Sequence, residues 1–445
     1  MWACECVEGV PTMTTRSVTR TESRRPTPGR RWVRRSVVLV AAVGALAGGW
    51  VWGVPHWQAR GHWNTAREAV EGRDFAAAEQ HLKKLIDLRP DDSDARLELA
   101  RVYRRGHRPD PAAAELTEAE RCGAPRAAVE LERVLQRTQS GHVAALSGFP
   151  ASAVGSEEDR LIREALAAGH LQVHFLDRAF RVTEKWIEDR PGDWLAHLWH
   201  GRVLERGLQF ELAADAYKRA LELRPGQPEA ERGRGEVLLR HGRYDEARPH
   251  FEAVLRADSG DAAARLGLAR CYRALGSPTE AREVLQPLLE AADPAPAVCL
   301  LAGELDLDGD RPGDALPWLR RAATAVPHDR DVNQTLATTL RQLDRPDEAR
   351  VYEARAEAAL RDYKEMEVIT KAVTQAPGDA QLRYEAGVIL ARLGQDAGAA
   401  RWLLSALTLN PRHEPSRKAL ADLTDRLGDS QLSAYCRRVL VPASP

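Results

Sequence analysis

Cysteine is scarce in this 445-residue chain: six residues, at positions 4, 6, 122, 271, 299 and 436. They form no CxxC pair and no regular framework, so neither a disulfide scaffold nor a zinc ribbon is expected, and single buried thiols are. Aromatic residues make up only 6% of the sequence. Neither sign of charge dominates, with 64 basic against 65 acidic residues, which gives no overall argument for a nucleic-acid or anionic-surface partner. No phosphate-cradling glycine loop, no Ser-His-Asp order and no CxxCH haem site occurs. Neither catalysis nor a cofactor is expected.

What is abundant is alanine, leucine, arginine and glutamate, a composition that suits stacked helices with alanine-lined contacts. The stretch Trp194–Pro225, WLAHLWHGRVLERGLQFELAADAYKRALELRP, sets the pattern. Counting Trp194 as place 1, small residues fall at places 8, 20 and 27 (Gly201, Ala213, Ala220) and aromatics at 17 and 24 (Phe210, Tyr217). The spacing reads as two amphipathic helices around a turn at Gly207, closed by Pro225. The small residues let the pair approach and the rings fill the space between them.

This pattern resembles the tetratricopeptide repeat (TPR), a 34-residue helix–turn–helix unit. His197 and His200 stand at places 4 and 7, where large apolar residues are usual. Unit starts at 160, 194, 228, 262, 296 and 330 keep the phase. Earlier units begin at Ala59 and Ser93, with a degenerate third near 127–159 whose residues 140–156 read as loop. After residue 330 the spacing breaks. The next unit starts at Ala380, and the stretch 347–375 between lacks glycine and proline and reads as one long helix. A last, poorer unit starts at Glu414 and suits a polar cap. The resemblance implies an all-α TPR solenoid, a right-handed superhelix, over about residues 58–440.

Before the repeats the character changes. Residues 13–35 hold eight arginines against the single acid Glu22 and read as disordered, as does the whole basic segment 1–35; Met1 and Met13 are both candidate starts. Ser36 to Val54 carries no charge, and nineteen residues make about 28 Å of helix, close to the hydrocarbon thickness of a bilayer. Trp32 precedes the span and Trp50, Trp52, Trp57 and Trp63 follow its middle, as interfacial anchors would. A single transmembrane helix over 36–57 is therefore expected as a signal anchor. The arginine flank places the N-terminus in the cytoplasm of a bacterial-type inner membrane and the repeats on the outer, periplasmic side. The rival is cleavage at the A-x-A site Ala45-Leu46-Ala47, which would release a secreted or periplasmic binding protein.

The resemblance also implies a concave face, lined by places 2, 5, 9, 12 and 13 of each first helix. The residues there include Arg101, Arg104 and Arg105; Leu195, Leu198, Arg202 and Arg206; Arg232 and Arg240; and Arg270 and Arg273. Over four units that face has nine arginines against Asp94, Glu205, Glu229 and Glu236. Guanidinium forks suit carboxylates, so the expected partner is a protein or an acidic peptide segment. A carboxylate clamp for chaperone C-termini needs asparagines at two groove places. Asparagine occurs only at 64, 333 and 410, which excludes it.

Weaker constellations read as structural. His170 and His174 have helical ligand spacing but no HExxH glutamate. Asp306 to Asp310 begins like a calcium loop, yet Arg311 stands where its glycine is required. The i,i+4 pairs Asp215–Arg219 and Glu236–Arg240 read as helix-surface support.

Overall fold

The computed structural model describes residues 54–148 and 156–428. Among them the regular structure is helical throughout, with no strand. Contacts divide the chain into two compact units, Met1–Leu99 and Ala100–Pro445. In the first, α1 (Val54–Glu71) packs on α2 (Phe75–Leu88), with Ala59, Leu85 and Ala95 as its core. Asp74 caps α2 by accepting the Ala77 amide at 2.9 Å. A cleft of about 560 Å³ here is bordered by Trp57, Trp63, Leu85 and Asp92.

In the second unit, α3 (Ser93–Arg105, from Ala100 on) is followed by α4 (Pro109–Arg121) and α5 (Arg126–Gln139), then a 3-10 turn at Val143–Gly148. Seven helical hairpins come next: α6 (Glu157–Gln172) with α7 (Leu176–Asp189), α8 (Trp194–Arg206) with α9 (Phe210–Leu223), α10 (Pro228–Arg240) with α11 (Tyr244–Ala257), α12 (Ala262–Ala274) with α13 (Pro278–Leu289), α14 (Pro296–Asp308) with α15 (Pro312–Ala325), α16 (Arg330–Gln342) with α17 (Pro346–Gln375), and α18 (Ala380–Arg392) with α19 (Asp396–Leu409). Then comes α20 (Glu414–Leu427). From α4 on, each helix packs on the next, and from α6 to α16 the first helices of successive hairpins also touch. The result is a solenoid-like array.

The boundaries have local causes. Asp193, Asp261, Asp329 and Asp379 stand just before first helices and accept amides of the opening turn. Between paired helices the chain turns through one left-handed residue, fifteenth in its unit, such as His174, Leu208, Gly242, Gly276 and Asp310. The core follows the small/aromatic pattern. Phe251 is fully buried, and side chains at Gly235 or Gly267 would meet its ring at 3.0 or 2.5 Å, so both helices need glycine there to approach it. Asp306 is likewise fully buried and receives Arg311 at 2.8 Å and Arg282 at 3.1 Å; that stretch forms the end of α14 and its turn.

Place 4 departs from the sequence reading in an informative way. His197 is one of several polar residues there that reach the carbonyl six residues earlier and satisfy it at the turn between hairpins. The pairs are His197–Pro191 at 3.1 Å, Asn333–Pro327 at 3.0 Å and Arg383–Pro377 at 2.8 Å, with Arg265 and Ser259 making a fourth.

The expected transmembrane span 36–57 and basic segment 1–35 lie outside the described residues, save the last residues of the span, which open α1. Among the described residues no helix is long and apolar enough to cross a membrane.

Candidate partner-binding groove

Arginines on the first helices are mostly occupied, each reaching a carboxylate of a later repeat. Arg101 and Arg104 meet Glu132 at 2.9 and 2.8 Å, and Arg105 meets Glu164 at 3.1 Å. Further along, Arg202 pairs with Glu229 at 3.1 Å, Arg232 with Asp261 at 2.6 Å, and Arg273 with both Glu304 and Asp308 at 2.6 Å. Such pairs join adjacent units and neutralise the charge that an acidic ligand would have to find.

Burial removes more of the expected surface. Leu195 and Leu198 are 1% and 0% exposed, and Arg104 and Arg105 are 3% and 9%. These four are packing residues, because adjacent hairpins close over them. Among the described residues Arg206, Arg240 and Arg270 are the expected groove arginines that form no ion pair, and all three are exposed. Arg240 lies 5.8 Å from the centre of the Phe210 ring. Beside them sit half-buried carboxylates. Burial raises the pKa of Glu236 and of Glu304, and neighbouring Glu205 raises that of Glu236 further. The face is thus mixed in charge rather than basic.

The sequence reading missed Glu132, Asp261, Glu304 and Asp308, which lie in units or turns it did not count. One signal was available, a carboxylate roughly one unit after Arg101, Arg104, Arg202, Arg232 and Arg273. Arg219 pairs with Glu222 at 2.9 Å.

Three TPR-model matches fall on these hairpins: tetratricopeptide repeat models cover residues 69–130, 164–228 and 238–303. The chain belongs to the tetratricopeptide repeat family. No curated protein compared with this TPR chain matches it. Similar solved structures include PilW, titled a widely conserved type IV pilus biogenesis factor (20% identity, 46% of this chain and 94% of that one, TM-score 0.41). Another is a tetratricopeptide repeat protein from Parabacteroides merdae (17% identity, 64% and 99%, TM-score 0.35). A third is PilF of Pseudomonas aeruginosa (13% identity, 64% and 99%, TM-score 0.30).

His170 and His200 serve packing in this TPR array. Among the described residues no cluster of three or more potential ligands could hold a metal ion. His200 shares a hydrogen bond with Thr183 at 2.9 Å, and His170 is 7% exposed. Burial holds the pKa of both down to about 4, below the ordinary value near 6.5. The unfolded chain therefore binds protons that the folded one refuses. Stability from these groups is complete above pH 6.5 and is lost as pH falls towards about 4. Unfolding free energies from urea titrations should drop over that window, by up to about 1 kcal/mol per pH unit from His170 after solvent screening. His170→Gln should flatten part of the slope.

Proposed function

We propose that this protein is a non-catalytic, membrane-tethered scaffold that holds protein partners against the concave face of its TPR array. The observation that carries this reading is the family itself, whose repeats serve protein–protein interaction. Solenoids of this kind present extended concave surfaces made of many short units. The partner contact rests on the exposed, unpaired arginines Arg240 and Arg270, which would take carboxylates of an acidic segment. The tether is the uncharged run 36–54 with its arginine flank, which directs the repeats to the outer side of a cytoplasmic membrane. Trp57, next to that run and 79% exposed, suits an interfacial position.

Crosslinking from membranes should capture a partner with wild-type protein and lose at least tenfold of it with Arg240→Glu/Arg270→Glu. Equal capture by both would remove the acidic-segment reading. Extraction with alkaline carbonate should leave the protein in the membrane fraction, whereas release with a mature N-terminus at Gly48 would identify a cleaved, unanchored protein.

A further inference from the structure

The cleft in the first unit draws its lining from three helices. Trp57, Arg60 and Trp63 follow one another at three-residue intervals on α1, so they share one face of that helix. Leu85 comes from α2, Arg89 from its C-terminal cap, Asp92 from the turn that follows, and Asp94 from the opening turn of α3. Leu85 is buried, whereas Trp57 is 79% exposed. The volume, about 560 Å³, falls in the range of pockets that hold small ligands.

Its four charged groups divide into a committed pair and an uncommitted one. Asp92 accepts the Ala95 amide at 3.0 Å, which caps α3, and lies 3.9 Å from Arg89. Arg60 and Asp94 are both exposed, and neither forms an ion pair or hydrogen bond among the described residues. The cleft therefore offers a guanidinium and a carboxylate on different helices, beside two indole rings. A complementary ligand carries an anion and a cation on a small frame, joined to something apolar. Position in the chain narrows the class further. Trp57 lies three residues after Val54, where the uncharged run 36–54 ends. Three residues reach at most about 11 Å, so the cleft lies close to whatever surrounds the end of that run. In the tethered reading, on which this inference rests, that surrounding is the headgroup layer, where indole rings settle.

We propose that this cleft binds the zwitterionic headgroup of an ethanolamine phospholipid, with Arg60 taking the phosphate and Asp94 the ammonium. The guanidinium fork donates to the phosphate oxygens, and the ammonium donates to the carboxylate. Trp57 and Trp63 lie against the glycerol and the first acyl carbons. A choline headgroup has a cation but no N–H to donate, and a glycerol headgroup has no cation, so both fit less well. Binding would hold the first hairpin against the bilayer surface. The site is separate from Arg240 and Arg270, so its failure would leave the groove reading untouched.

The test holds the full chain in a phosphorus-free maltoside micelle and reads binding by phosphorus NMR line broadening. The probes are short-chain phosphatidylethanolamine, phosphatidylcholine and phosphatidylglycerol, with inorganic phosphate as the free anion. The ethanolamine lipid should bind about fivefold more tightly than the other two, the worth of one exposed charge-assisted contact. Arg60→Gln should weaken all three lipids by about the same fivefold factor. Asp94→Asn should remove only the preference for ethanolamine. Both residues are exposed, so both variants should keep the wild-type unfolding midpoint. Arg67→Gln, on α1 outside the cleft, should bind like wild type. No broadening, equal binding of the three lipids, phosphate bound as tightly as the ethanolamine lipid, or a preference that survives Asp94→Asn overturns the proposal. Carbonate extraction reads the tether separately. Release from the membrane with the ethanolamine preference intact would sink the anchor and leave the site standing, whereas retention without any preference would do the reverse.

Discussion

Glu132→Ala should destabilise the protein by about 3–5 kcal/mol, the cost of breaking a buried ion pair from one side. Glu132 is 1% exposed and receives Arg101 at 2.9 Å and Arg104 at 2.8 Å. With the carboxylate gone, Arg104 stays 3% exposed, with Gln139 at 3.0 Å as its remaining acceptor here. Attraction to Glu132 no longer offsets its desolvation. Arg104→Met/Glu132→Leu should recover most of the loss, since an apolar pair of similar volume leaves no charge behind. Repeat arrays are held by neighbour interfaces, so the damage should be local. Hydrogen exchange should quicken over residues 100–139 while α10–α15 stay protected. Uniform acceleration along the chain would contradict the local reading.

Phe251→Ala should cost a similar amount, about 3–5 kcal/mol, by a different route. The ring is fully buried between Gly235 and Gly267, which have no side chains to collapse into the space it leaves. The cavity persists, and the loss should fall towards the upper end of that range. A double-mutant cycle checks the cause. Gly267→Ala alone should destabilise, because its Cβ would meet the ring at 2.5 Å. Combined with Phe251→Ala, the same methyl group has room and should restore part of the stability. Additive losses in urea denaturation would mean that the two residues do not share one packing space.

These cases mark what could be read from the sequence. Helices start at Trp194, Pro228, Ala262, Pro296, Arg330, Ala380 and Glu414, where the unit spacing places them. Packing of a small place against an aromatic one is local, so it leaves a periodic trace. Charge pairing leaves a fainter one. Arg232 and Asp261, or Arg273 and Glu304, are about one unit apart, and their alignment depends on how hairpins stack. Reading arginines without those carboxylates made the groove look more basic than it is. Arg383 is harder still. Its place looks like another turn-capping donor, as at His197 and Asn333, and no spacing reveals that it also reaches His174.

The hydrogen bond from Arg383 to the His174 carbonyl, 3.3 Å long, has a consequence for how such a chain can change in length. An open array can gain or lose a hairpin anywhere, because each unit meets only its neighbours. Here Arg383 and His174 meet across 209 residues. A duplicated or deleted hairpin between them would carry Arg383 past the turn it docks on. The number of units in that interval is therefore constrained by a contact that none of them makes, whereas units outside it remain free to vary.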